Sequence, residues 1–171
     1  MHNDDESLIE ESIDIAAAPA HVWSLVHDVR RMPEWSAQVE STRLRQGFDR
    51  VETGAQFTNR NRHGDLEWTT HAEVVRFEEG REIAFRIEEN WVVWSLVVEP
   101  TAGGGTRLTQ RREAPEGISD LSHELAEAFF GGQQAFTEGQ RAGVQATLAA
   151  IRDAAEGTAR AAGDVSGSRP D

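Results

Sequence analysis

Apolar and polar positions alternate along most of this chain, and the places where the alternation stops mark its few helices. Ile9, Glu11, Ile13 and Ile15 share one parity, with Glu10, Ser12 and Asp14 on the other, which predicts a half-buried first strand. Pro19 comes next, where proline suits the first turn of a helix. Val22, Leu25, Val26 and Val29 then recur at helical spacing beside Trp23, so Ala20–Asp28 reads as an amphipathic helix. Arg30–Trp35, interrupted by Pro33, reads as a second short helix or turn. Strand signals follow at Val39–Leu44, Ala55–Arg62, Leu66–Phe77, Glu82–Glu89, Trp91–Glu99 and Arg107–Glu113. The links carry turn residues, among them His63-Gly64-Asp65, Glu79-Gly80, Glu89-Asn90 and Gly103-Gly104-Gly105. Such short links fit hairpins, whereas a parallel crossover needs about a dozen residues or more. The expectation is one antiparallel, strongly curved sheet.

The period changes again near the end. Ser119-Asp120 supplies helix-capping chemistry, and Leu121, Leu125, Ala128 and Phe129 form an apolar stripe that Gly131-Gly132 interrupts. Phe136, Gly139, Gly143, Val144, Thr147, Leu148 and Ile151 continue an apolar or small-residue stripe, which predicts a long helix from Gln134 to Ala155. Residues 1–7 and 157–171 are polar or low in complexity and read as disordered tails around one domain at 8–156.

Period-two counting assigns the faces of the sheet. The inward sets are Trp68, Thr70, Ala72 and Val74, then Ile83, Phe85 and Ile87, then Val92, Trp94, Leu96 and Val98. His71, Ser95 and Glu99 fall on the outer face. Phe57, Asn59 and Asn61 share a face on one strand, and Leu108, Gln110 and Arg112 on the last. An inward Asn or Arg must be hydrogen-bonded or hydrated. Either these groups form the polar end of a cavity whose other end is aromatic, or they sit wet at the sheet rim. Small residues on the last helix (Ala135, Gly139, Ala142, Gly143, Ala146) leave space between helix and sheet, which is what a ligand cavity requires.

Composition narrows the classes. At 171 residues the chain suits one domain with a real core. It has no cysteine, so a disulfide framework, a thiolate metal site and a cysteine nucleophile are excluded. A net charge of −13 disfavours nucleic acid and anionic membrane surfaces as partners. No apolar run is long enough for stable membrane insertion, and the acidic start is unlike a signal peptide, so the expected address is cytoplasmic. None of the six histidines pairs with another at the helical spacing of a zinc motif, so no metal and no cofactor are expected.

The order of elements from Ile13 to Trp35 (strand, Ala-Pro, amphipathic helix, then Met32-Pro33-Glu34-Trp35), followed by strands and a terminal helix, resembles the helix-grip fold. That is the fold of the START-like, or SRPBCC, superfamily, and the resemblance is to its polyketide cyclase/dehydrase and lipid-transport branch. Trp35, Trp94 and the Gly104-Gly105-Thr106 hairpin match recurring landmarks of that group. The resemblance covers Leu8–Arg152. It implies an α+β fold, with a curved antiparallel sheet wrapped around a long C-terminal helix and two short helices after the first strand.

It also implies a partner: a hydrophobic or amphipathic small molecule, lipid- or polyketide-like, bound between sheet and helix. The residues expected to meet it are Phe57, Asn59, Asn61, Trp68, Thr70, Phe85, Trp94, Gln110, Arg112, Phe130 and Phe136. Leu121–Gln134 reads either as a lid over the cavity or as a kinked helix on the core. The alternative function is that of a polyketide cyclase/aromatase or dehydratase. Arg112 would then polarise a carbonyl and Asn59 or Gln110 orient one. No carboxylate or histidine in the sequence stands out as a general base, so no catalytic residue is named and enzyme activity is left open. The sequence carries no signal for oligomeric state.

Overall fold

Alternating positions become strands wherever a second strand stands ready to pair, and here every neighbour is antiparallel. The computed structural model describes residues 8–115 and 133–167. Strand β1 (Ile9–Ile15) leads into helix α1 (Pro19–Val26), which begins with Pro19 in its first turn. A 3-10 helix follows at Val29–Glu34, where Asp28 accepts the Arg30 N–H and Pro33 prevents continuation as an α-helix. Six strands then run in sequence: β2 (Val39–Leu44), β3 (Gln56–His63), β4 (Leu66–Glu78), β5 (Glu82–Ile87), β6 (Val93–Pro100) and β7 (Thr106–Glu113). Helix α2 (Gln133–Gly167) completes the fold.

The strand order is β1-β7-β6-β5-β4-β3-β2, so one seven-stranded meander is closed at one edge by the first strand. It is the curved open sheet and terminal helix of the helix-grip fold. Cross-strand register aligns Ile9, Arg112, Trp94, Phe85 and Val74 in one row on the inner face. A register shift between Val74 and Arg76 switches the parity of β4, so Phe77 also turns inward and packs against Trp23 with the rings tilted at 57° and centroids 5.5 Å apart. The Trp23 indole N–H donates to Glu79 at 3.0 Å, which ties α1 to the β4–β5 turn. Gly105 allows a close passage: a Cβ there would lie 2.7 Å from the Ile15 carbonyl oxygen.

Several expectations need correction. Helix α2 runs past the expected end at Ala155 to Gly167, because the alanine-rich segment has high helix propensity. Trp91 lies in the β5–β6 turn rather than in a strand, at φ 63° and 42% exposed. The turn is closed by hydrogen bonds from Trp91 N to Ile87 O and from Val92 N to Asn90 Oδ1. Glu88 and Glu89 therefore belong to this turn and not to β5. Ser95, expected outside, is only 1% exposed, beside its equally enclosed cross-strand partner Ala84. Most of the Leu121–Gln134 segment, including Phe130, lies outside the described residues, as does 1–7; Phe136 is on α2, but its side chain is not among those described.

Candidate ligand cavity

Between the inner face of the sheet and α2 lies a cavity of about 590 Å³. Its size follows from which side chains α2 presents. Gly139, Gly143 and Ala146 border the space, and a Cβ added at Gly139 or Gly143 would meet nothing within 4 Å among the described residues. Ala135 and Ala142, expected in the same stripe, are exposed and do not line it. Farther along the helix Leu148, Ile151 and Ala155 are fully packed.

Of the residues expected to meet a ligand, Asn59, Asn61, Trp68, Thr70, Phe85, Trp94, Gln110 and Arg112 all line this one cavity. Phe57 does not. It is completely buried behind the wall, edge-on to Phe85 at 5.2 Å, and so holds the lining rather than forming it. Met32 and Trp35, from the 3-10 helix region, also reach the cavity. Sequence periodicity missed them, because six residues containing a proline give no period to count. Ile83 and Leu96 line it as well, on strand faces already assigned inward.

The polar lining falls into two groups rather than at a single end, which corrects the division into one polar and one aromatic end. Arg112 and Gln110 project from β7, whereas Asn59 and Asn61 project from β3. Phe85 on β5 and Trp94 on β6 lie between them. Arg112 is 2% exposed, and its guanidinium carbon sits 5.9 Å from the Trp94 ring centroid. Burial pushes its pKa down to about 10, which still leaves it charged at neutral pH. The Gln110 Oε1 is buried with no hydrogen-bond partner among the described residues.

On β3, Asn59 Oδ1 accepts the Thr42 hydroxyl at 2.6 Å, and Asn61 Nδ2 donates to Thr70 Oγ1 at 3.1 Å. These inward amides are paired and buried, not wet at a rim.

Among the described residues, two carboxylates reach the cavity wall, Asp28 and Glu89. Burial would raise the pKa of Asp28, but hydrogen bonds from the Arg30 side chain and backbone outweigh it and hold the group low. Glu89 accepts from the His71 backbone N–H at 2.6 Å and bonds its Nδ1 at 2.8 Å. Both carboxylates are thus already engaged, and His71 sits on the outer face as expected. His71, Glu88 and Glu89 bring ligand atoms within 4.8 Å of one another. Glu88 is also ion-paired to Arg45 at 3.7 Å, so the trio reads as a surface charge network.

A cavity between a curved antiparallel sheet and its terminal helix is the arrangement that the helix-grip architecture produces. The chain belongs to the polyketide cyclase / dehydrase and lipid transport family, whose model matches residues 8–156. The Polyketide_cyc-like protein Cgl2372 from Corynebacterium glutamicum is 30% identical, with a TM-score of 0.55 over 85% of this chain and 88% of that one. The Zhui aromatase/cyclase from Streptomyces sp. R1128 shares the fold at 16% identity and TM-score 0.68, covering 91% and 97% of the two chains. The di-domain ARO/CYC StfQ of the steffimycin biosynthetic pathway superposes at TM-score 0.71 and 17% identity, over 91% of this chain. This chain spans about half of StfQ, 53% of its length. No curated protein matches the sequence. Among the described residues, no helix is long and apolar enough to cross a membrane.

Proposed function

We propose that this protein binds a hydrophobic or amphipathic small molecule, lipid- or polyketide-like, in the cavity between the sheet and α2. The observation that carries this reading is the 590 Å³ space itself, walled by aromatic side chains and holding a buried guanidinium. The volume lies within the range of natural small-molecule sites. The guanidinium at the wall would orient an acidic or carbonyl oxygen of the guest.

The test is direct, because Trp35, Trp68 and Trp94 line the cavity and report on its occupancy. Titration with fatty acids and polycyclic aromatic acids should change tryptophan emission saturably at micromolar concentration. Absence of any saturable change across both series would reject the reading. Cyclase chemistry, the alternative, would need a proton acceptor at the wall. The engaged states of Asp28 and Glu89 weigh against them in that role. Recovery of the bound compound unchanged after incubation supports a carrier or sensor, and chemical conversion supports the cyclase.

A further inference from the structure

The polar group on β3 has an unfilled hydrogen-bonding pattern that specifies its guest. Asn61 directs its amide nitrogen at the backbone carbonyls of Asn59 and Trp68, at 3.4 and 3.3 Å, and at Thr70 Oγ1. Two carbonyl neighbours fix which end of the amide is nitrogen, since the flipped amide would set oxygen against oxygen. The Oδ1 of Asn61 then points elsewhere, and no hydrogen bond reaches it among the described residues. Asn59 Oδ1 accepts the Thr42 hydroxyl, and among the described residues Nδ2 has only the Met32 thioether at 3.6 Å, a weak acceptor. Asn59 and Asn61 are 4% and 8% exposed, and with Thr70 they line the cavity.

Asn59 and Asn61 stand two residues apart on one strand face, so one open acceptor and one poorly used donor border the same cavity. A hydroxyl carries one proton to give and two lone pairs to receive, so it satisfies both at once. A carbonyl would leave Asn61 Oδ1 unmet, and an ammonium would leave Asn59 Nδ2 unmet. The second polar group, Arg112 with Gln110, is on β7, four interstrand steps from β3; at about 4.8 Å per step this is roughly 19 Å along the arc of the sheet. The inward side chains on the strands between them are mainly apolar, among them Ile83, Phe85, Trp94 and Leu96.

We infer that the ligand is an elongated apolar molecule oxygenated at both ends, with a hydroxyl seated on Asn59 and Asn61 and an acidic or carbonyl oxygen at Arg112. The inference rests on the cavity being a small-molecule site and adds the chemistry of its occupant. A flexible hydroxylated chain and a rigid hydroxylated ring system both satisfy it.

Matched probes separate the cases. One arm titrates the whole protein with dodecanoic, tetradecanoic and hexadecanoic acids and their ω-hydroxy forms, read by tryptophan emission. The other compares lithocholic acid with cholanic acid, which lacks the hydroxyl. An added hydroxyl ordinarily weakens binding to an apolar cavity, because it must leave water. Here the hydroxylated member of at least one arm should bind about tenfold tighter than its parent, at the chain length that spans both groups. The arm that responds identifies a flexible or a rigid ligand. Asn61→Leu should abolish the difference in affinity between the hydroxylated probe and its parent. Equal affinity within every pair in the wild-type protein would overturn the inference and leave the cavity reading standing. Persistence of the preference in a folded Asn61→Leu would overturn it too. Failure of all parents and hydroxylated probes to bind would reject the cavity reading itself. Should Asn61→Leu not fold, the wild-type pairs decide alone.

Discussion

The two halves of helix α2 face the same sheet, yet one half encloses space and the other encloses none. Toward the C-terminal side Leu148, Ile151 and Ala155 are at most 2% exposed and join a core with Ile15, Val22 and Leu108. Toward the N-terminal side the stripe continues through Thr147 and Val144, which are buried but border the cavity, with the exposed Gly139, Gly143 and Ala146 at its side. Backbone, strand order and helix are common to both halves. Smaller side chains on the helical face, Val144 and Thr147 against Leu148 and Ile151, with glycines beside them, therefore go with the space between helix and sheet. Stability is concentrated in the first region, and the second is free to hold a polar pattern that a solid core would not tolerate.

The largest effect should come from breaking the solid half. Ile151 is fully buried, and Ile151→Ala leaves a void that its close-packed neighbours cannot fill, at a cost of about 2–5 kcal/mol. Chemical denaturation should show that loss as a lower midpoint with an unchanged slope. Ligand titration of the folded fraction should be unaffected, since Ile151 does not line the cavity. A loss of affinity equal to the loss of stability would mean that the two halves are a single energetic unit.

Filling the hollow half should do the reverse. Gly143→Leu places a side chain where no described atom lies within 4 Å of the Cβ position, and it replaces a poor helix former by a good one, a gain of about 1 kcal/mol. The melting temperature should hold or rise. Affinity for a polycyclic acid should fall roughly tenfold to a hundredfold, because overpacking an occupied site costs about 1–3 kcal/mol. Unchanged affinity in a folded Gly143→Leu protein would locate binding elsewhere.

The same division explains what the sequence made legible. Alternation revealed the strands and the inner face because a one-residue slip exposes a whole apolar set, so the pattern is under strong physical constraint. It identified Trp68, Phe85, Trp94 and Arg112 as inward for that reason. It misassigned Phe57, because parity tells which face a residue occupies and not whether a neighbour stands in front of it. It missed Met32, since proline-interrupted 3-10 turns have no period. It placed Trp91 in a strand, because a tryptophan with positive φ is dictated by the hydrogen bonds of its turn and not by its own preference. The expected helix end at Ala155 fell short because the apolar stripe in the sequence stops near there while alanine propensity continues. The separation of the polar lining onto β3 and β7 was beyond any single-strand pattern, since it depends on strand order across the sheet.

The smallest of these effects should be the most selective. Arg112 is buried beside Trp94 in the hollow half, and Met fills a similar volume without the charge. Arg112→Met should weaken dodecanoic acid about tenfold, the scale of one charge-assisted hydrogen bond, and leave dodecanol nearly unchanged. Parallel loss for acid and alcohol would mean that the residue shapes the cavity without orienting the ligand. The pH dependence follows from the depressed pKa. A base whose folded pKa lies near 10, below the ordinary arginine value, carries the full cost of its buried charge at neutral pH. That cost diminishes as pH rises from about 10 toward the ordinary value, so this group adds stability only across that alkaline interval. A bound carboxylate restores part of the lost pKa, so acid affinity should stay level to about pH 9 and fall as pH passes about 10. The alcohol should show no such decline. In Arg112→Met the acid and alcohol curves should run parallel through the same interval, and a wild-type-like acid decline there would assign the titration to another group.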